Sequence, residues 1–353
     1  MSEQFPKPPP TPAVEAVPIL EMIETDKVYN VGTFGSGKLK AVRGASFTVE
    51  AGQVVSLIGE SGSGKSTIGK MVLHLISIDG GKMLVGGKDV TRLGGKALRE
   101  YYTDVQGVFQ DPFSTFNPIY KVDRVFEAVR KSYFPEVRRP EWIERVKAVM
   151  SSIGLRPEDI LGKYPHQCSG GQLQRLLVSR ALLLRPKILV ADEIISMLDA
   201  STRIDVLNLL GELKKQGLGI LFITHDLSLG NYVADKVVIL YQGRIVESGK
   251  TRAVFENPLH PYTRDLLASV PQLDKTWSQV EAEEAERSAR LAGTCAFHEV
   301  MPDAPAHDDG QAEVATDHFV GCFRMDEADP CPAHLTHPAH PNTPTQPAPA
   351  TIP

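Results

Sequence analysis

No window of the chain approaches the run of about 18 uninterrupted apolar residues that a membrane-spanning helix needs. The opening stretch, MSEQFPKPPPTPAVEAVP, has no apolar core of the kind a secretory signal carries. Both absences lead us to expect a cytoplasmic protein that crosses no membrane itself. Excess charge is scarce: 38 Lys and Arg stand against 43 Asp and Glu, a formal net charge of -5. That balance gives no electrostatic reason to expect a nucleic-acid partner, whose phosphates call for clustered cations. Cysteine is scarce as well. Cys168, Cys295, Cys322 and Cys331 in 353 residues do not form a disulfide framework. What is present is a 42% hydrophobic chain, enough for one large core and a small second unit.

The first 18 residues, rich in Pro, read as a flexible lead, and the Pro-rich stretch 332–353 reads as a disordered tail. Between them the pattern alternates short apolar runs with amphipathic segments. VVSLIG (Val54 to Gly59), KILVAD (Lys187 to Asp192) and GILFIT (Gly219 to Thr224) read as buried strands of a mostly parallel sheet. KSTIGKMVLHLI (Lys65 to Ile76) and IDVLNLLGELKKQG (Ile204 to Gly217) have helical spacing, and Gly217 suits a helix C-cap. AVRGASFTVEAG and KVVILYQGRIVESG read as antiparallel strands, the second turning at Gln242-Gly243. The charged, helix-rich stretch Phe126 to Leu161 reads as an inserted helical subdomain, and EAEEAERSARLAG (Glu281 to Gly293) as an acidic helix. The expected fold is therefore α/β: a mostly parallel core sheet, an antiparallel β subdomain and an inserted helical subdomain.

Four motifs carry chemistry. GESGSGKS, Gly59 to Ser66, follows a strand and opens a helix, which is the context of a phosphate-binding loop. Its glycines let the backbone wrap so that successive N–H groups cradle phosphate oxygens. Lys65 would reach the β- and γ-phosphates and the Ser66 hydroxyl would ligate Mg²⁺. KILVADE ends a strand in Asp192 and Glu193, one placed to hold the metal's water shell and the next to deprotonate an attacking water. ITHD puts His225 at the end of the next strand, a residue able to contact the γ-phosphate or that water. CSGGQLQR, Cys168 to Arg175, reads as a helix entrance capped by Ser169, and the unpaired N–H groups there attract anions.

A phosphate loop, then SGGQ at a helix start, then strand-Asp-Glu, then a strand-end His, in that order, resembles the ATP-binding-cassette ATPases. The resemblance spans about Ile19 to Pro271. It implies a P-loop NTPase cassette over 19–250, with a Q-loop and helical subdomain at about 111–168. It also implies nucleotide contacts from Gly59, Glu60, Ser61, Gly62, Ser63, Gly64, Lys65, Ser66 and Thr67. In such proteins the SGGQ segment closes over ATP held by a second copy, so Ser169, Gly170, Gly171 and Gln172 would serve a partner's nucleotide. Gln110 in VFQDP resembles the glutamine that touches Mg²⁺ and the attacking water. Tyr29 resembles the aromatic that stacks on adenine, with Phe34 as second choice. Ser196 to Asp199 resembles the loop that crosses the dimer interface. FQDPFSTFNP, YPHQ and ENPLHPYTRDLLASVPQLD resemble the subfamily serving oligopeptide, dipeptide and nickel importers, some members of which handle oligosaccharides. This implies an importer-type C-terminal extension over 251–331.

The sequence departs from that pattern in three places. Cys168 stands where Leu is usual, a change expected to weaken burial by about 1 kcal/mol at a packed site. Ile194 and Ile195 replace Pro-Thr and Met197 replaces a small residue, changes expected to alter packing at the dimer interface. Cys295 and Cys322 resemble the outer two of four cysteines that hold an iron–sulfur cluster in some members. The inner pair has no counterpart, and although Cys331, His298, His307 and His318 offer substitutes, a degenerate remnant is the favoured reading.

The function expected is that of an ATP-hydrolysing subunit of an importer for short peptides or oligosaccharides. Glu193 would act as general base, assisted by Gln110 and His225, with Ser66, Gln110 and Asp192 at the metal. Partners expected are an identical or homologous ATPase subunit, two transmembrane permeases on whose cytoplasmic face it sits, and indirectly an extracytoplasmic solute-binding protein. The alternative weighed against it is a soluble ATPase of the same class acting on ribosomes or DNA.

Overall fold

The computed structural model describes residues 17–31, 37–269, 297, 300 and 310–322. The expected lead, the acidic helix at Glu281 to Gly293 and the Pro-rich tail lie outside these apart from Val17 and Pro18. The chain starts with β1 (Leu20–Val31) and β2 (Gly37–Val49), then β3 (Val54–Ile58), α1 (Lys65–Val72), β4 (Gly80–Val85) and β5 (Lys88–Asp89). Next come α2 (Gly95–Asp104), β6 (Val105–Val108), α3 (Pro112–Thr115), α4 (Arg124–Tyr133), α5 (Arg139–Ser152) and α6 (Gly170–Leu182). The second half holds β7 (Ile188–Asp192), α7 (Ala200–Lys215), β8 (Gly219–Thr224), α8 (Leu227–Val233), β9 (Lys236–Tyr241) and β10 (Arg244–Lys250). It closes with α9 (Thr251–Glu256), α10 (Pro261–Ala268), β11 (Gln311–Ala315) and β12 (His318–Gly321).

Two sheets result. An eight-stranded sheet runs β11-β12-β10-β9-β3-β8-β7-β6, with β9, β3, β8, β7 and β6 mutually parallel and β10, β12 and β11 antiparallel. A four-stranded antiparallel sheet runs β2-β1-β4-β5. The central strands β3 and β8 are buried along their whole length, which is why they read as unbroken apolar runs rather than alternating ones. One face of the large sheet packs with α1 against the antiparallel sheet, through Val55, Leu57, Ile68, Met71, Ile223 and Phe47. The other carries the helical layer, where Trp142, Met150, Leu173, Leu177, Leu207 and Phe222 share one apolar cluster.

The β9–β10 turn has positive φ at both Gln242 (47°) and Gly243 (83°), the geometry a two-residue hairpin of right-handed twist requires. Helix α1 is shorter than its apolar spacing predicts. It ends at Val72, and His74 takes a left-handed φ of 51° with its ring edge-on to Tyr101, so tertiary contact stops the helix before Ile76. Ile194 and Ile195 correct another expectation. They are 1% and 2% exposed within the helical-layer cluster, so they fill core and not an interface, whereas Met197 is 59% exposed. Cys168 is buried in the same cluster.

Besides the pairing of β12 with β10, a buried carboxylate ties the last two strands to the cassette. Glu247 on β10 is fully buried and accepts hydrogen bonds from the N–H groups of Leu259 (2.9 Å) and His260 (3.0 Å). Its Oε1 also lies 2.7 Å from Nε2 of the buried His318 on β12. His318, a substitute ligand at the sequence level, therefore has its Nε2 committed to Glu247. Cys322 is buried with Phe297, Ala312 and Val320. Cys295, Cys331, His298 and His307 lie outside the described residues. Replacing Glu247 by Ala would leave three buried donors without an acceptor, and we expect a loss of about 3 kcal/mol of stability. Chemical denaturation checks it, with Glu247→Gln, which keeps an acceptor oxygen, losing less.

Candidate nucleotide site

Parallel strands deliver their C-terminal ends to one edge of the sheet, and the register makes that edge specific. Ile58 pairs with Thr224, Val108 with Ala191, and Asp192 with Ile223. The residues that follow β3, β6, β7 and β8 are therefore neighbours: Gly59 and the loop, Gln110, Asp192 with Glu193, and His225. This is the crevice beyond the strand ends where open α/β sheets bind ligands.

The loop from Gly59 to Ser66 is held by its surroundings at close range. A Cβ on Gly59 would lie 2.2 Å from Leu240 O, and one on Gly64, at φ 108°, would lie 2.5 Å from Ala41 O. Both contacts are with backbone, so no side chain can be accommodated by local movement. Lys65 is 5% exposed and its Nζ donates to the carbonyls of Gly59 and Glu60, each at 2.7 Å. Burial lowers the Lys65 pKa, opposed by the charges of Glu193, Asp192 and Glu60. Ser66 Oγ lies 3.4 Å from Asp192 Oδ1, so a hydroxyl and a carboxylate converge from α1 and β7. Two hard oxygens so placed fit Mg²⁺. Burial first, and the neighbouring Glu193 second, raise the Asp192 pKa.

Glu193 leaves β7 at a φ of 49°, a left-handed conformation rare for a residue with a side chain, and its N–H donates to Ile223 O at 2.9 Å. The turn brings Glu193 Oε1 to 3.2 Å from Nδ1 of His225, an acid–imidazole pair at the sheet edge. Gln110 is exposed, two residues beyond β6. Tyr29 is half-buried on β1, its ring 5.6 Å from Lys27 Nζ. Phe34 lies outside the described residues.

The signature segment is a separate feature. Ser169 and Gln172 form a reciprocal capping box at the start of α6: Ser169 Oγ accepts from Gln172 N at 3.2 Å, and Gln172 Oε1 accepts from Ser169 N at 2.9 Å. Gly171 sits so close to α7 that a Cβ would fall 2.3 Å from Thr202 Cγ2. Ser169, Gly171, Gln172, Arg175 and Thr202 line a depression of about 210 Å³. Among the described residues neither Ser169 nor Gly171 hydrogen-bonds to the phosphate loop. Asp199, at the head of α7, accepts from Ser201, Thr202 N and Thr202 Oγ1, and these bonds hold its pKa well below the carboxylate range. Sequence reasoning missed Gln174. It is fully buried on α6, donates to Phe109 O at 3.4 Å, and so ties the signature helix to the residue before Gln110.

Fold and site define an ATPase of the ATP-binding-cassette class. Residues 42–196 match the family described as ABC transporter, and residues 246–305 match the oligopeptide/dipeptide transporter C-terminal region. The oligopeptide transport ATP-binding protein OppF of Salmonella typhimurium is 35% identical over 297 residues, covering 82% of this chain and 89% of that protein. The dipeptide transport ATP-binding protein DppF of Lactococcus lactis is 40% identical over 260 residues, covering 72% and 82%. Among solved structures, cbiO1 of Clostridium perfringens, part of the transporter complex cbiONQ, superposes with a TM-score of 0.59 at 26% identity, covering 68% and 91%. A dimeric bacterial ABC transporter cassette, MJ0796, gives the same TM-score at 25% identity, covering 66% and 99%. The chain belongs to the ATP-binding subunits of ABC transporters of the oligopeptide/dipeptide type. It is an ATPase subunit without a described helix long and apolar enough to cross a membrane. The ribosome or DNA alternative and the oligosaccharide expectation find no support in these relatives.

The raised Asp192 pKa has a consequence for stability. A carboxyl whose folded pKa exceeds its unfolded value destabilises the fold once ionised, the loss developing as pH rises from the unfolded value through the folded one. The cost therefore sets in above the ordinary carboxylate range. Asp192→Asn should therefore melt about 2–4 °C higher than the wild type at pH 7 without nucleotide, and the gain should vanish near pH 3. Calorimetry at the two pH values checks both.

Proposed function

We propose that this chain hydrolyses ATP to power peptide uptake through partner permeases. The observation that carries the reading is the convergence of the glycine-bound phosphate loop, the Ser66–Asp192 oxygen pair and the Glu193–His225 pair on one sheet edge. The loop amides and Lys65 bind the phosphates, with Lys65 leaving the Gly59 and Glu60 carbonyls to do so. Ser66, Asp192 and Gln110 would hold Mg²⁺, which would neutralise phosphate charge. Glu193 takes the proton of the attacking water, and His225, at hydrogen-bond distance, orients that carboxylate and contacts the γ-phosphate. Tyr29 stacks on adenine.

The signature depression of about 210 Å³ is smaller than the ~300–1,000 Å³ of a site enclosing a whole small ligand, and it suits the terminal phosphate of a nucleotide held elsewhere. Ser169, Gly170, Gly171 and Gln172 accordingly act on ATP presented by a second copy or a homologous subunit, with the exposed Met197 in the facing loop. Turnover then requires dimerisation. Closure of the dimer drives two membrane-spanning permeases, on whose cytoplasmic face the subunit sits, while an extracytoplasmic binding protein delivers the peptide.

Glu193→Gln keeps the shape of the side chain and removes the base. The variant should bind ATP as the wild type does, lose 10²–10⁴-fold in turnover and accumulate as an ATP-bound dimer. Phosphate release and size-exclusion chromatography with ATP read these out. Turnover equal to that of the wild type would sink the assignment of the base.

A further inference from the structure

The HPY segment of the C-terminal extension reaches the phosphate loop. Tyr262, the second residue of α10, accepts a hydrogen bond at its hydroxyl from the backbone N–H of Glu60 at 3.0 Å. That N–H belongs to the same peptide unit as the Gly59 carbonyl, which accepts from Lys65 Nζ at 2.7 Å. A trans peptide points its C=O and N–H in opposite directions, so Lys65 and Tyr262 grip one peptide plane from its two sides. A donor and an acceptor bound to the same amide polarise each other, so the grip is stronger than either bond alone. The phenol is itself held in place. Its ring packs on Tyr241, with centroids 4.3 Å apart, and Tyr241 follows Leu240, whose carbonyl abuts Gly59. The residues just before it are fixed through the two N–H groups bound by Glu247, which also holds His318 of the terminal hairpin. Burial pushes the Tyr262 pKa up to about 12, so the phenol is neutral at working pH.

We propose that Tyr262 is a positioning residue of the nucleotide site, through which the C-terminal extension sets the affinity of the phosphate loop for nucleotide. The inference rests on the assignment of that loop as the ATP site. The hydroxyl fixes the Gly59–Glu60 peptide in the orientation that leaves the following loop amides open. When Lys65 leaves the Gly59 carbonyl for the phosphates, this hydroxyl is the hold that remains on the peptide, and without it the loop must be ordered by the nucleotide itself. Coupling is reciprocal, so nucleotide in the loop must in turn hold the HPY segment more firmly.

Tyr262→Phe in the full-length protein removes one oxygen and keeps the ring stack. Calorimetric titration with Mg-ATP and with ADP should show dissociation constants raised about three- to tenfold, the worth of one net hydrogen bond. The turnover number at saturating ATP should stay within about twofold and the melting temperature should fall by no more than about 2–4 °C, so that a variant still fully folded at the assay temperature reports the change in affinity itself. Tyr241→Phe, which removes the neighbouring hydroxyl from the same stack, should leave the affinities as they are. In the wild type, ADP should slow hydrogen exchange of the amides of Leu259, His260, Tyr262 and Thr263. Unchanged affinity in Tyr262→Phe, or unchanged exchange at those amides, would overturn the proposal. A wild type that binds neither nucleotide would overturn the site assignment itself, a result distinct from equal binding by the two proteins.

Discussion

Lys65 is a cation almost wholly removed from water, resting on two carbonyl oxygens of its own loop. A buried ammonium is costly unless its protons are bonded and opposite charge lies near. The loop supplies the first condition by wrapping back on the lysine, and that wrap demands glycine where Leu240 O and Ala41 O press on it. Asp192 and Glu193 supply the second from the end of β7, where burial raises the Asp192 pKa. The arrangement is poised for an anion carrying its own cation, since phosphate oxygens and a divalent ion would satisfy both halves at once.

Stability and function pull against each other in the same few residues. Glu193 holds a left-handed backbone conformation, and burial beside Glu193 disfavours the charged form of Asp192. The fully buried strands β3 and β8 and the Ile194–Ile195 pair, buried directly behind the acids, offset this. The two isoleucines thus anchor the site to the core, while Met197 and Ser169, with the depression around Ser169, stay exposed.

Much of this was legible in the sequence, because the nucleotide-site elements are local. A strand followed by GESGSGKS, a strand followed by Asp-Glu, and a serine capping SGGQ each declare themselves within about ten residues. The 202-residue separation between Glu60 and Tyr262 left no such trace. The Glu247 node was equally silent, since a Glu in an alternating strand reads as a solvent-facing residue until the hairpin at 311–321 covers it. Ile194 and Ile195 were misplaced for the same reason: the family pattern set them at the dimer interface, and only the tertiary packing of the helical layer turns them inward. The early end of α1 reflects the contact of His74 with Tyr101, which no spacing rule anticipates.

The central claim is that ATP hydrolysis at this sheet edge serves membrane-embedded partners. Purification of the tagged protein from native membranes in detergent, with the accompanying chains identified by mass spectrometry, tests it most directly. The account predicts two multi-span permeases in stoichiometric amount. Ribosomal or DNA-repair proteins in their place would contradict it.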